Sequence, residues 1–226
     1  MKVALCFSGQ SRFIEQGYKS LSTNLANFSE MDVFVHTWAS ANSLEIPKYY
    51  SNIKDYIIEE QRYDITQGDA DIPSHFIDAN GKDGIVSDGL EPDAMLRFVH
   101  YSMFYSIFKS NQLKSHYEHL HNFKYDCVIR ARFDIALSET TNLDDFDLNY
   151  VNMLTPCHDD VVSDFINFGT SRIMDIYSNV WQHMPELKEQ DVMMTSGEEL
   201  ITAHLNNNHI KHINKDELNT VSLIRG

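Results

Sequence analysis

The chain has 226 residues, 42% of them apolar and 23% charged, a composition typical of a globular protein that can bury a substantial core. Its 33 acidic and 18 basic side chains give a formal net charge of −15, which argues against nucleic acid as the main partner because phosphate backbones bind basic surfaces. No apolar run approaches the ~20 residues of a membrane span, and the apolar N-terminus is too short for a signal peptide, so we expect a cytoplasmic protein without a membrane span.

The first third of the chain predicts a β-strand, a helix and two more strands. Buried-strand patterns lie at 2–9 (KVALCFSG) and 32–38 (DVFVHTW), with a helix predicted between them over 17–28. A third strand is predicted at 56–61 (YIIEEQ). A strand, helix and strand in this order favour a parallel sheet with a right-handed crossover.

A long polar segment and a long helix follow. Residues 64–91 are rich in Asp, Gly and Pro, which predicts a long, mobile loop. A helix is predicted from Pro92 to about residue 121. Four apolar side chains of this helix recur every four residues: Met95, Val99, Met103 and Ile107. This repeat predicts a face that packs into the core.

Residues 128–137 (VIRARFDIAL) alternate apolar and charged side chains, the pattern of a single strand. Arg130, Arg132 and Asp134 would then share one face, and burying charge is costly unless the charge is paired or used. The three residues fit a structural ion-pair ladder. They also fit a diphosphate clamp with a carboxylate ligand for Mg²⁺ or Mn²⁺. Arg130, deeper in the strand, is the one expected to be structural.

The last part of the chain predicts further strands and helices in alternation. The strand-like segments are 150–156, 164–169, 210–213 and 221–224. A helix is predicted over 171–184, ended by Pro185. Ser196 and Glu199 fit a capping box at the start of a last helix. Together with the first segments, this alternation predicts an α/β sandwich around a mainly parallel sheet.

Ligands of open α/β sheets bind at the carboxyl ends of the strands. Two segments predicted to lie there contain residues that could bind a ligand. The first contains Ser8, Gly9, Gln10 and Arg12. Here the glycine permits close backbone approach and the arginine can reach a phosphate. Trp38, at the end of the second strand, could line a pocket. A plain turn and a core tryptophan explain these residues equally well. The absence of GxGxxG and GxxxxGK[ST] motifs leaves a dinucleotide fold or a P-loop kinase without support.

Carboxylates in the last third of the chain are candidates for a general base. Asp164 lies near a predicted strand, and Glu198 and Glu199 lie at the start of the last helix. Glu199 already has a structural role as capping-box partner, which leaves Glu198 as the better candidate base. The segment 157–160 (CHDD) is too local for a zinc site and fits either a sugar-facing loop or a solvated turn.

Four segments together resemble small GT-A-fold glycosyltransferase-like proteins of the bacterial surface-polysaccharide and viral type. They are MKVALCFSGQSRF, DVFVHTW, YDCVIRARFDIAL and DFINFGTSRIMDIY. The resemblance implies one nucleotide-sugar-binding α/β/α domain over residues 1–226. It also implies transfer of a sugar from a nucleoside-diphosphate sugar, with a UDP-sugar favoured, to an unknown hydroxyl acceptor, with competing hydrolysis of the donor.

The resemblance also assigns roles to individual residues. It implies that the donor is bound by Ser8, Gly9, Gln10, Arg12, Trp38, Arg132 and Asp134. Asp134 stands where these enzymes place the last acid of an Asp-x-Asp motif, which binds Mn²⁺ or Mg²⁺. Arg132 replaces the first acid, so that arginines could neutralise the diphosphate instead of a metal. Asp164, Glu198 and Glu199 would lie near the acceptor, one of them acting as base if the reaction inverts the sugar.

Two alternatives stay open from the sequence. A non-catalytic module that binds a nucleotide sugar or a glycan is favoured by the arginine in place of the motif's first acid. A nucleotidyltransferase or pyrophosphohydrolase uses similar phosphate chemistry, but it needs more acids around its metal than the sequence allows us to assign.

Overall fold

The computed structural model of the protein describes residues 1–72, 92–155, 161–214 and 220–225. The described strands are β1 (Val3–Gly9), β2 (Asp32–Trp38), β3 (Ile53–Glu59), β4 (Cys127–Ala131), β5 (Ile135–Leu137), β6 (Val151–Met153), β7 (Ile166–Gly169), β8 (His212–Asn214) and β9 (Val221–Leu223). The described helices are α1 (Ile14–Asn24), α2 (Ile46–Tyr49), α3 (Pro92–His121), α4 (Ser171–Tyr177), α5 (Val180–Glu189) and α6 (Gly197–Asn207). This is a mixed α/β fold.

A seven-stranded sheet, flanked by helices, forms the centre of the fold. Its order is β3-β2-β1-β4-β7-β6-β8, and it is mainly parallel, as the sequence predicts. Only β7 runs antiparallel to its neighbours, β4 and β6, among the described strands of this sheet. β5 and β9 form a separate antiparallel pair. Because β1 to β4 all run in one direction, their carboxyl ends lie at the same edge of the sheet.

The two faces of the sheet are covered by two apolar clusters. Side chains of a strand alternate between its faces, so Ala4 and Cys6 face the cluster of α3, whereas Leu5 and Phe7 face the cluster of α1. Both faces are therefore covered, which explains why six of the seven residues of β1 are buried.

The core-facing side of α3 differs from the predicted side. Val99 is 44% exposed, and Ile107 is the one fully buried residue of the predicted repeat. The helix packs on the sheet mainly through Phe98, Tyr101 and Phe104. A repeat of four residues drifts by about 40° per step around a helix with 3.6 residues per turn, so it cannot stay on one face.

The predicted single strand over 128–137 is wrong. β4 ends at Ala131, residues 132–134 form a turn, and the chain then enters β5 in the other sheet. Phe133 is buried in this turn, with its ring stacked at 4.8 Å from that of Phe7. Since this aromatic contact holds the middle of the turn in the core, Arg132 and Asp134 lie on either side of an apolar anchor.

The helix predicted to end at Pro185 is also different. The helix is interrupted at residues 178–179, between α4 and α5, and Pro185 lies inside α5. Proline has no N–H to donate to the carbonyl four residues earlier, which belongs to Trp181. That carbonyl instead accepts a hydrogen bond from the side-chain amide of Gln67. A contact from a distant segment thus satisfies the group that the proline leaves free.

Other boundaries shift by a few residues. α1 begins at Ile14 rather than 17, and β3 begins at Ile53 rather than 56. Part of the predicted loop is ordered, because residues 63–66 form a 3₁₀ turn and Ile65 and Ile72 are buried. The rest of that loop, 73–91, and the CHDD segment lie outside the described residues. No helix in the described ranges is both long and apolar enough to cross a bilayer.

Candidate functional site

A cavity of about 210 Å³ lies at the carboxyl ends of β1, β2 and β4. Its lining contains all seven residues predicted to bind a nucleotide sugar, namely Ser8, Gly9, Gln10, Arg12, Trp38, Arg132 and Asp134. The structure adds Gln61, Val99, Ser102, Met103 and Arg130. We call this site the arginine cavity, because three arginines line it.

Strand register brings the polar side chains of this cavity together. Ser8 of β1 pairs with His36 of β2, and Cys6 pairs with Arg130 of β4. These residues fall on the α3 side of the sheet, where the side chains two residues earlier in each strand belong to the core. The polar site is therefore the continuation, at the carboxyl edge, of an apolar sheet face.

A hydrogen bond to α3 fixes the turn after β1. Gly9 has a φ of +98°, a left-handed conformation that glycine adopts without strain. Its N–H donates to Ser106 Oγ at 2.6 Å, and its carbonyl accepts from Thr37 Oγ1 at 2.8 Å. With both backbone groups of Gly9 bonded, the direction in which the chain enters the turn is fixed.

Ser106 is itself oriented by two further side chains. His36 Nδ1 lies 2.7 Å from Ser106 Oγ, and His36 Nε2 lies 2.8 Å from Glu59 Oε1. Burial lowers the pKa of His36, although the hydrogen bond to Glu59 acts in the opposite direction. A neutral imidazole fits both contacts, since it accepts the Ser106 proton at Nδ1 and donates from Nε2 to Glu59. We call Glu59, His36 and Ser106 the relay.

Arg130 is buried without a carboxylate partner within ion-pair distance in the described part of the chain. The side chain is 2% exposed; its Nε donates to Ser8 Oγ at 3.0 Å, and its Nη1 donates to the carbonyl of Asp164. Burial lowers the pKa of Arg130. A buried cation whose hydrogen-bond partners are neutral is costly, and Asp164 and Asp134 act on its charge only from beyond ion-pair distance.

Arg132 and Asp134 form a bidentate ion pair across the turn. The Arg132 Nε and Nη2 atoms donate to Asp134 Oδ1 and Oδ2 at 2.8 and 2.9 Å. Burial acts to lower the pKa of Arg132, but the hydrogen bond and the charge of Asp134 outweigh it and raise that pKa. This geometry is the strong, planar form of an arginine–carboxylate pair, with both carboxylate oxygens occupied.

The predicted metal site does not fit a divalent ion as the residues are arranged. Mg²⁺ and Mn²⁺ need oxygen ligands, and both oxygens of Asp134 already accept from Arg132. No group of three or more ligating side chains occurs in the described ranges of the chain. Asp134 therefore lines the cavity, and its immediate partner is a guanidinium.

The predicted acidic residues lie beside the arginine cavity rather than in its lining. Asp164 Oδ2 is 4.0 Å from Arg132 Nη1. Glu198 and Glu199 lie in the first turn of α6, where the N–H of Glu199 donates to Ser196 Oγ at 3.2 Å, half of the predicted capping box. Glu198 is half-buried and acts electrostatically on Tyr177, whose hydroxyl donates to Asn167 Oδ1 at 2.8 Å. Of these three acids, Asp164 is therefore the one within ion-pair distance of an arginine of the cavity.

Sequence reasoning missed the contribution of α3 to this site. Ser102 accepts a hydrogen bond from the Gln61 amide in the cavity wall, and Ser106 follows one helical turn later. Both serines lie on the buried side of a helix whose other buried residues are mostly apolar. Three serines at four-residue spacing, Ser102, Ser106 and Ser110, were the available signal. It has no meaning until the helix is placed against the ends of β1 and β2.

No protein-family model matches the chain, and no curated protein is similar to it in sequence.

Proposed function

We propose that this protein is a glycosyltransferase of compact GT-A-like fold, moving a sugar from a nucleoside-diphosphate sugar to a hydroxyl acceptor. The observation that carries the proposal is the convergence of Arg12, Arg130 and Arg132 on one cavity in a protein of net charge −15. Arginines gathered at one place on an acidic protein favour a local anionic ligand over a general basic partner. The carboxyl edge of a parallel sheet supports a nucleotide as that ligand.

The size of the cavity supports binding of the charged part of the donor. Pockets that enclose a whole small molecule measure roughly 300–1,000 Å³. At about 210 Å³, the arginine cavity is smaller, and it suits a diphosphate with the adjoining sugar. The nucleoside would then extend to the mouth of the cavity. Guanidinium groups suit such a ligand because their planar N–H pairs match phosphate oxygens.

The chemistry follows from what the leaving group needs. In the transfer, the bond between the anomeric carbon and the diphosphate oxygen breaks, and negative charge grows on the diphosphate. N–H groups of the arginines, fixed in place before the reaction, stabilise that charge. The acceptor oxygen forms the new bond, and in an inverting reaction its proton passes to a carboxylate. Asp164 and Glu198 are the candidates for this base, and water in place of the acceptor would give hydrolysis.

A second candidate function is a module that binds the nucleotide sugar without turning it over. The observation in its favour is the Arg132–Asp134 ion pair, which occupies both oxygens of the best-placed carboxylate. The two candidates share the ligand and differ in turnover, so one binding experiment and one assay separate them.

The donor prediction is tested by thermal shift with UDP-, GDP-, dTDP- and CMP-sugars. At about 100 times Kd, mass action stabilises by ~2.7 kcal/mol, so at least one diphosphate sugar should raise Tm by roughly 5 °C or more. Arg12 is exposed, and no ion pair of its side chain occurs in the described residues, so Arg12→Ala should remove most of this shift without lowering Tm in the absence of ligand. Arg172→Ala, an exposed arginine on α4 outside the cavity, is the matched control.

Release of nucleoside diphosphate from the donor that binds then separates enzyme from module. Turnover that falls in Asp164→Asn or Glu198→Gln, with binding retained, supports the glycosyltransferase. Binding without any release of product supports the module. If none of the sugar nucleotides raises Tm, the donor site is wrong.

A further inference from the structure

We propose that Arg132 takes the place of a divalent cation in the arginine cavity, so that the donor diphosphate binds directly to arginines with no metal ion between. The inference rests on the proposed function, because it concerns the diphosphate of the same donor. It decides between two ways of neutralising that diphosphate which the sequence leaves open.

The first argument is the position of the Arg132 guanidinium between two acids. Its Nε and Nη2 atoms bond the two oxygens of Asp134 at 2.8 and 2.9 Å, and its Nη1 atom is 4.0 Å from Asp164 Oδ2. A cation between two carboxylates is the arrangement that a metal ion would have. Here the cation is part of the chain, and the backbone of the turn fixes it in place.

The second argument is the cost of adding a metal ion. Mg²⁺ or Mn²⁺ bound to an Asp134 oxygen at about 2.1 Å would compete with the Arg132 N–H groups for the lone pairs of that oxygen. The guanidinium, held in the same turn, would lie within a few ångströms of this divalent cation. Repulsion between these charges in a partly buried site is large compared with the affinity that one or two carboxylates provide. The ion pair therefore disfavours a metal at Asp134.

The third argument is that donors remain for the ligand. Arg132 Nη1 forms no hydrogen bond within the described part of the chain, so its two N–H groups are available to an anion. Arg130 supplies a second positive charge at the floor of the cavity, and the exposed Arg12 supplies a third at its rim. The lining side chains thus carry three positive charges against the one negative charge of Asp134. That surplus complements a diphosphate.

The test is isothermal titration of the full-length protein with UDP, GDP and dTDP and their sugars, once in EDTA and once in Mn²⁺. We expect binding in EDTA, with a Kd that Mn²⁺ changes by less than about threefold. Arg132→Gln should weaken binding in EDTA at least tenfold. Asp134→Asn keeps the shape of the side chain and removes the charge that competes with the ligand for Arg132, so it should leave binding unchanged or make it tighter. Circular dichroism confirms that each variant is folded.

The sign of the Asp134→Asn effect separates the two chemistries. If Asp134 holds a metal, this variant weakens binding and the wild type binds only with Mn²⁺. That result overturns the inference and leaves the proposed function in place. If no nucleotide or sugar nucleotide binds in either buffer, the proposed function fails, and the inference fails with it. Binding in EDTA that Arg132→Gln does not alter also overturns the inference.

Discussion

Ser106 is the residue through which α3 contacts the turn after β1. Its hydroxyl accepts from the N–H of Gly9 and lies against His36, and the side chain is fully buried. The relay thus connects three elements, β3 through Glu59, β2 through His36 and α3 through Ser106, to one backbone amide. At this site a buried polar network lies outside the lining of the cavity, and it fixes the backbone of the turn that belongs to the lining.

Replacing Ser106 should therefore weaken ligand binding as well as stability. Ser106→Ala leaves the Gly9 N–H without its acceptor, which costs about 1–3 kcal/mol of stability. Because the turn that carries Gln10 and Arg12 is then free to move, we expect nucleoside-diphosphate binding to weaken about tenfold. Isothermal titration and urea unfolding measure the two effects separately.

Ser110→Ala is the matched control for this experiment. Ser110 lies one turn further along α3, is equally buried, and donates to the carbonyl of Ile107 within its own helix. We expect a small loss of stability and an unchanged Kd. Equal changes of Kd in the two variants would contradict a positioning role for Ser106.

At the scale of elements, α1 and the turn of residues 132–134 are packed backbone to backbone. A Cβ added at Gly17 would lie 1.9 Å from the carbonyl oxygen of Phe133, closer than any real contact. The helix can approach the turn this closely because residue 17 has no side chain. The position of the Arg132–Asp134 pair is thus fixed both by Phe133 in the core and by α1 against its backbone.

Gly17→Ala should therefore destabilise the protein although alanine is the better helix former. Helix propensity alone would stabilise by up to about 1 kcal/mol. The overlap with a backbone oxygen forces α1 away from the turn, and overpacking of this kind costs about 1–3 kcal/mol or more. We expect a net loss in urea unfolding. Gln16→Ala, at the exposed neighbouring position, should change little. A more stable Gly17→Ala variant would show that the helix and the turn can separate without cost.

On the scale of the whole molecule, a buried histidine makes stability depend on pH. His204 is 2% exposed and donates from Nε2 to the carbonyl of Ile176 at 2.9 Å. Burial lowers the pKa of His204 to about 4, against 6.5 for an ordinary histidine. Between these values the unfolded chain binds a proton that the folded protein does not. The neutral His204 therefore contributes fully to the free energy of unfolding above pH 6.5, and this contribution is lost as pH falls towards 4.

Protonation of His204 in the unfolded chain should lower the free energy of unfolding by about 2 kcal/mol between pH 7 and pH 5. Urea unfolding at a series of pH values measures it. His204→Gln cannot take up the proton and should flatten the curve in this range. His116→Gln, at an exposed position of α3, should keep the wild-type slope. A His204→Gln curve parallel to the wild type would show that the histidine is accessible to protons in the folded state.

The parts of the fold that follow from local pattern were predictable, and those that depend on distant contacts were not. β1 and β2 are short apolar runs and α3 begins at Pro92, local features that specify their type, and their bounds agree closely with the prediction. The end of β4 was missed because Phe133 leaves the strand for a contact with Phe7, which no local pattern shows. Pro185 was misread because Gln67, far away in the chain, satisfies the carbonyl it leaves free.

The candidate site divides in the same way. Ser8 to Arg12 and Trp38 follow predicted strands, so the edge where they meet could be derived from the order of the elements. The relay could not, because it depends on which turn of α3 lies beneath Gly9. The bidentate pairing of Arg132 with Asp134 also needs the turn geometry, since in a regular strand these residues would only lie side by side.

The turn of residues 132–134 has a consequence for how this fold can change over time. It lies between two sheets, where Phe133 packs in the core and α1 packs against the backbone of the turn. Exchanging an acid for a base at position 132 leaves the strand pairing of β4 and β5 untouched. A single substitution at position 132 would therefore change the charge at the carboxyl edge of the sheet without altering the strands that carry it.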